Sequence, residues 1–422
     1  MKDIYLTNYS VKGIKTLDKT VSMSFYKKTI NKEPDTQEYN IKGIYGMNGS
    51  GKSGIVTSVE ILRNLIIDTG YLNNPITQNH LDAIVNKKVG KLSLEAEFMA
   101  KSGGELLLYQ YEITLSKNKT GKFAIAQECL KGKKATLKSS SLEKIYEVCD
   151  GEIIFIYGSE EENGFVAEIR NKTMNLLSTG SVSALIYDKL LCAGSDNYFL
   201  YRKDKVAQVI MNAVGMLFAL GHKLHVYLDE SDDHKPYMIT KLKFEKFVDT
   251  INKLYEFLHI FKSDLMGIEI DKKENGDFWM CDLVMVYDSY KIHAEFESTG
   301  IKKLIKLFVY IREMVRGGIV FIDEFDSNLH DVYLCALLEY LMEYGEGQLC
   351  FTTHNVGPMD VLKQHKKSID FLSEDHQIYP WKTNGNYSPS KLYRNGMIEG
   401  SPFNVDAIDF IGVFGTGEKD EL

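Results

Sequence analysis

Several features are missing from this 422-residue chain, and each absence removes a class of reading. There is no C-x-x-C pair. Cys129, Cys149, Cys192, Cys281, Cys335 and Cys350 show neither that spacing nor a zinc-like Cys/His pattern, so buried thiols in a reducing compartment are expected. No apolar run reaches membrane-spanning length. The longest, "VAQVIMNAVGMLFALG", contains Gln208 and Asn212 and reads as a core helix. The opening "MKDIYLTNYSVKGI" has no apolar signal-peptide core, so a cytoplasmic protein with no membrane association is expected. No heptad is sustained, which excludes a long coiled-coil arm, and no internal repeat or low-complexity tract occurs. Positive charge is not in excess. A net charge of −8 argues against coating nucleic acid by bulk electrostatics, while leaving a local basic patch open. No N-K-x-D tetrapeptide supports guanine recognition, and no Ser/His or Cys/His nucleophile arrangement stands out.

What is present is an ordinary globular balance, 44% hydrophobic and 26% charged, in a chain long enough for two modest domains or one with a large insertion. Within it, Gly46-Met47-Asn48-Gly49-Ser50-Gly51-Lys52-Ser53 fits G-x-x-x-x-G-K-[ST] without a gap. The glycines let backbone N–H groups approach phosphate oxygens that side chains would keep away. Lys52 would reach the β- and γ-phosphates, and the Ser53 hydroxyl would ligate Mg²⁺. The context agrees: "YNIKGIY" reads as a buried strand entering the loop, and Ile55, Val59, Leu62 and Ile66 recur at helical spacing after it. A helix starting at the loop aims its N–H groups at the anion. The expectation is a nucleotide site.

Around the loop, "DIYLTNY" and "TVSMSFY" read as strands. The segments "KLSLEAEFMA", "ELLLYQYEITLS" and "KFAIAQECLKG" alternate apolar and polar residues as an antiparallel meander. Lys117, Lys119, Lys122, Lys131, Lys133, Lys134 and Lys138 are assigned to its turns, as solvated tips or as contacts to a phosphate backbone. From about 170 to 262 the period is helical, and strand character returns at "LMGIEID", "FWMCDLVMVYD" and "YKIHAEF". Residues 300 to 354 run helix, strand, helix, strand, which implies parallel pairing with right-handed crossovers. The expected fold is α/β, with an N-terminal lobe at 1–165, a mostly helical insertion at 166–300 and a lobe at 301–422 that completes the sheet.

In "GGIVFIDEFDSNLH" four apolar residues are expected to make a fully buried strand that ends in Asp323 and Glu324, at the strand end where ligands of parallel sheets bind. Asp323 would hold Mg²⁺, through water, and Glu324 would polarise the attacking water. Ser298, Thr299 and Gly300 start an amphipathic helix with Leu304, Leu307, Ile311 and Met314 on its inner face. A serine there is an N-cap, or else part of a second anion site that touches a γ-phosphate held by another subunit. A further helix, with Leu334, Leu337, Leu338 and Leu341, leads to "QLCFTTHN". There His354 ends a strand beside the Asp323 strand, within reach of a γ-phosphate.

In this order, "GMNGSGKS", "ESTGIKKL", "FIDEFDSNLH" and "TTHN" resemble the RecF/SMC/OLD-like branch of ABC-type ATPases, most closely the compact abortive-infection ATPases. "IAQECL" and "NLLSTGSVSAL" are similar to that group's first lobe and lobe junction, so the resemblance covers nearly the whole chain. It implies a P-loop NTPase fold of the ABC-head kind, with ATP and Mg²⁺ as ligands and Asp323 and Glu324 as Walker B. It makes Ser298 and Gly300 signature residues and places Asp326, Ser327 and Asn328 in the loop at a dimer seam, with His354 as the switch histidine. Two departures stand out: Glu297 precedes the signature where that group has an apolar residue, and no glutamine is clearly placed as the metal sensor, Gln78 being the candidate. The resemblance further implies a head-to-head dimer that encloses ATP. It implies a role as sensor or scaffold of an anti-phage system with a separate effector, a nuclease or toxin. The alternative is a RecF-like repair or chromosome ATPase that binds DNA directly. Glu399 and Asp409 are the carboxylates of the tail, where too little chain is expected for a nuclease domain.

Overall fold

Four fully buried strands form the middle of a six-stranded central sheet. The computed structural model describes residues 4–137, 141–159, 163–188, 203–228, 236–382, 387–399 and 401. In chain order the elements begin with strands β1 (Ile4–Lys12), β2 (Val21–Ser24) and β3 (Ile41–Gly46), then helices α1 (Lys52–Ile67) and α2 (Pro75–Ile84). Five strands follow: β4 (Lys91–Ser102), β5 (Glu105–Lys117), β6 (Phe123–Lys134), β7 (Glu143–Cys149) and β8 (Glu152–Ile156). Next come α3 (Gly164–Thr173), α4 (Val182–Ile186), α5 (Lys205–Lys223), β9 (Leu224–Tyr227), β10 (Tyr237–Thr240) and α6 (Phe244–Phe261). Then follow β11 (Gly267–Asn275), β12 (Phe278–Val286), β13 (Lys291–His293), α7 (Thr299–Val315) and β14 (Ile319–Ile322). The last are α8 (Asp331–Tyr344), β15 (Gln348–Thr352), α9 (Met359–Leu362), β16 (Ile369–Leu372), β17 (Ile378–Pro380) and α10 (Pro389–Arg394). The fold is mixed α/β, as expected.

The central sheet has the order β17-β16-β3-β15-β14-β9, parallel except for β17. Its strands alternate between two cores. Ile319 and Phe321 of β14 join α1, α5 and the antiparallel sheet, whereas Val320 and Ile322 join α7 and α8 on the other face. Both faces of β14 are covered, which is why "IVFI" reads as an unbroken apolar run; β3 and β16 each bury one charged residue, Lys42 and Asp370, which pair with one another at 2.7 Å.

The meander continues past β6 into β7 and β8, giving a second sheet in the order β2-β1-β4-β5-β6-β7-β8. The buried Gln348 joins the two sheets: its Oε1 accepts from the Leu6 amide at 2.7 Å, and its Nε2 donates to the Leu6 carbonyl at 2.9 Å. One side chain thus satisfies a full backbone position that would otherwise be buried without partners. The buried Glu128 ties α4 to the meander. It accepts from the Tyr146 hydroxyl at 2.7 Å, the Tyr111 hydroxyl at 3.1 Å and the Val182 amide at 3.0 Å, and burial pushes its carboxyl up to about 7.

Several expectations need correction. Residues 166–300 do not form one helical lobe. α4 and α5 lie in the core of α1 and the meander, and β9 pairs with β14 as an edge strand of the central sheet. Only the later part, with β10 to β13 in a separate antiparallel sheet, packs on α6 and α7 around Leu254, Leu258, Leu283 and Met285. Lys131, Lys133 and Lys134 lie within β6 and not in a turn, while Lys138 is outside the described residues. Lys117, Lys131 and Lys134 form ion pairs with Asp82, Glu112 and Glu105. Cys149 is exposed and Cys335 is only half-buried, because both sit on outward positions of their elements; Cys192 is outside the described residues. Among the described residues, α5 alone is long and apolar enough to cross a membrane, and it packs against α1 with Ile210, Val214 and Leu217 buried in the core they share.

Candidate functional site at three adjacent strand ends

Strands β3, β15 and β14 are neighbours, with Ile44 opposite Thr352 and Phe351 opposite Ile322. Their C-terminal ends therefore bring together the glycine loop after Gly46, the His354 segment after Thr352, and Asp323 with Glu324 after Ile322. Parallel strands present ligand sites at this edge.

The loop is built for close approach. Gly51 has φ +104°, and a Cβ there would lie 2.4 Å from Leu17 Cδ2; a Cβ at Gly46 would lie 2.5 Å from the Leu372 carbonyl oxygen. Gly49, at φ +79°, faces open space. Asn48 is exposed beside it. No side chain caps α1, whereas α3, α5 and α7 are capped by Asn163, Asp204 and Ser298. The first-turn amides of α1, at Lys52 and Ser53, are thus left for an external acceptor. Ser50 Oγ is buried with no partner. An orphaned hydroxyl, uncapped amides and a glycine cradle fit a bound phosphate chain.

Lys52 is only 6% exposed, and its Nζ donates to the carbonyls of Gly46 at 2.7 Å and Met47 at 2.9 Å. Desolvation holds its ammonium down at about 8, against the opposing pull of Asp323, Glu324 and Asp326. The exposed His354 imidazole is held below its ordinary value, first by desolvation and then by Lys52, with the same three carboxylates pulling the other way. These charges act on one another across one site.

Asp323 is buried, and its Oδ1 accepts the Thr352 hydroxyl at 2.5 Å. That hydroxyl accepts the Glu324 amide at 2.9 Å, and the Asp323 amide donates to the Tyr227 carbonyl at 2.9 Å. Glu324 is exposed and adopts φ +47°, a left-handed conformation that a non-glycine residue keeps only when its surroundings impose it. The chain matches no protein-family model, and no curated protein shows significant similarity to it.

Ser298 and Gly300 lie in a different neighbourhood. Ser298 is exposed and its Oγ accepts the Ile301 amide at 3.4 Å. A Cβ on Gly300 would lie 2.9 Å from the Asn328 carbonyl oxygen, so the start of α7 rests on the turn that follows Glu324. Glu297 accepts from the Tyr287 hydroxyl and, at 3.2 Å, from the Ser298 amide. The Gln78 amide is engaged with backbone: its Nε2 donates to the Leu72 and Phe123 carbonyls and its Oε1 accepts the Phe123 amide.

Three residues at the site were not singled out in the sequence. Thr352 looks like one more polar residue in "FTTHN". Thr16 donates to the Gly49 carbonyl at 3.4 Å from a loop distant in sequence. Lys303 is buried on the inner face of α7, and a charged residue between Gly300 and Leu304, Leu307 was the signal available.

Proposed function

We propose that this chain is an ATP-binding and ATP-hydrolysing P-loop ATPase with the fold of an ABC-type head. The observation that carries this reading is the convergence of the uncapped glycine loop, Lys52, Asp323, Glu324 and His354 at three adjacent strand ends. Gly46, Asn48, Gly49, Ser50 and Gly51 would wrap the phosphate chain with backbone N–H groups. Lys52 would exchange the Gly46 and Met47 carbonyls for phosphate oxygens, which restores the full charge that desolvation weakens in the free loop. Ser53 and Asp323 would hold Mg²⁺, which supplies charge neutralisation at the phosphates. Glu324, exposed next to Asp323, would orient the attacking water, and His354 would offer a neutral imidazole to the terminal phosphate.

Ser298 is exposed and Gly300 half-buried at the start of α7, and they would complete the site of a second copy, so the working form is an ATP-dependent dimer or higher oligomer. The wider role is that of a cytoplasmic sensor or scaffold in anti-phage defence, acting through a separate effector protein. The ion pairing of Lys117, Lys131 and Lys134 favours this over direct contact with a DNA backbone. Glu399 is an exposed carboxylate and Asp409 lies outside the described residues. Purified protein should hydrolyse ATP, lose turnover in Glu324→Gln, and leave DNA and RNA intact. Metal-dependent cleavage of nucleic acid that is lost in Glu399→Ala or Asp409→Ala would overturn the separate-effector reading.

A further inference from the structure

Three lysines in the described chain are almost fully buried: Lys42, Lys52 and Lys303. A buried ammonium is costly unless its donors are used, so each one needs an account. Lys42 is matched by Asp370 at 2.7 Å, and Lys52 belongs to the glycine loop. Lys303 is 3% exposed on the inner face of α7, one turn after Gly300. Its Nζ donates to the Glu324 carbonyl and to Ser327 Oγ, and lies 5.9 Å from the centre of the Tyr227 ring.

These contacts fix the residue that would orient water. The Glu324 amide is held by Thr352 Oγ1 from the end of β15, and its carbonyl by Lys303 from α7. The two tethers act on either side of a Cα at φ +47°. The same turn is gripped again at its far end, where Gly300 lies against the carbonyl of Asn328, itself at φ +60°. The first turns of α7 therefore touch both ends of residues 324–328. Ser298 is at one end of this rigid piece and Glu324 is hung from the other.

We infer that Lys303 is a positioning residue that couples the Ser298–Gly300 end of α7 to the orientation of Glu324. When that end of α7 engages a second copy, a small shift of the helix moves the Glu324 carbonyl through the Lys303 ammonium. Turnover is thereby made conditional on assembly. The inference rests on the nucleotide-site reading above, with Glu324 as the water-orienting group.

The test uses Lys303→Met, which keeps the length of the chain and removes its donors, with Lys303→Arg and Ser327→Ala beside it. In Lys303→Met, ATP-Mg²⁺ affinity should stay within about threefold of the parent, while kcat falls by about ten- to a hundredfold, the scale expected for a misplaced reacting group. Lys303→Arg should recover part of the loss, and Ser327→Ala should lose less than Lys303→Met. In a Glu324→Gln background, Lys303→Met should cause no further loss, because the group it positions is already gone. Amide exchange without nucleotide should quicken at Glu324 and Ser327 in Lys303→Met, and folded Ser327→Ala keeps the question answerable if Lys303→Met does not fold. Unchanged kcat and exchange in these variants, or an equal loss with and without Glu324, would overturn the coupling. A wild-type protein that binds no ATP would instead defeat the underlying site reading, a result visible before any Lys303 variant is made.

Discussion

Thr352 Oγ1 donates to Asp323 Oδ1 across 2.5 Å and itself accepts the Glu324 amide at 2.9 Å. One buried hydroxyl from the middle strand thus sets two consecutive carboxylate-bearing residues of its neighbour. Replacing it by the isosteric valine would leave a buried carboxylate oxygen and a backbone amide without that partner. Thr352→Val should lose about 1–3 kcal/mol of stability, and turnover should fall more steeply than ATP affinity. Thr352→Ser should keep both. Chemical denaturation and steady-state kinetics measure the two effects; a valine variant as stable and as active as the parent would contradict the arrangement.

Lys52 gives the site a pH dependence of definite sign. Burial lowers its ammonium to about 8 in the free protein, opposed by Asp323, Glu324 and Asp326, while His354, held below its ordinary value, is neutral in this range. Phosphate favours the charged lysine, so binding draws in a proton once the free group has lost it. ATP affinity should be flat just below pH 8 and fall by up to about tenfold per pH unit above it. Calorimetry at pH 8.5 in two buffers of different ionisation enthalpy should show proton uptake, which Lys52→Arg should abolish. Affinity that rises above pH 8 would reverse the assignment.

Substitution at Gly300 should separate assembly from nucleotide binding. A methyl group there would meet the Asn328 carbonyl oxygen at 2.9 Å, so α7 must shift on the turn that carries Glu324. Gly300→Ala should bind ATP with nearly unchanged affinity yet fail to associate. Glu324→Gln should accumulate as an ATP-bound dimer or larger species. Light scattering with and without ATP distinguishes them; Glu324→Gln that is monomeric in both conditions would overturn the proposed ATP-enclosing dimer.

The strands and helices next to the site were legible because their signals are local. "IVFI" is apolar throughout and "QLCFT" is apolar between its buried ends, Gln348 and Thr352, because helices or sheet cover both faces, and the α1, α7 and α8 stripes repeat at helical spacing. Other features depend on partners far away in the chain. Leu224–Tyr227 follows α5 directly, with Gly221, His222 and Lys223 in the last helical turn, and pairs as a strand with the distant Ile319–Ile322. Gln348 finds Leu6 across 342 positions, a contact with no local trace. Lys303 stands within an apolar stripe as a charged exception, and its meaning comes from the Glu324 carbonyl below it. Cys149 looked like a core thiol by residue type alone, yet it sits on an outward position at the end of β7.

The central claim is that Gly46–Ser53 holds the phosphates of ATP and that Lys52 supplies the charge. Lys52 extends into its own loop, so shortening it removes a phosphate ligand more than it disturbs the core. Isothermal titration of ATP-Mg²⁺ into the parent and into folded Lys52→Ala tests this most directly. Saturable binding by the parent, weakened about a hundredfold or more in the variant, is the expected result, since a charged hydrogen bond to phosphate is lost along with its Coulomb attraction. Equal affinity in the two proteins, or no binding by the parent, would contradict it.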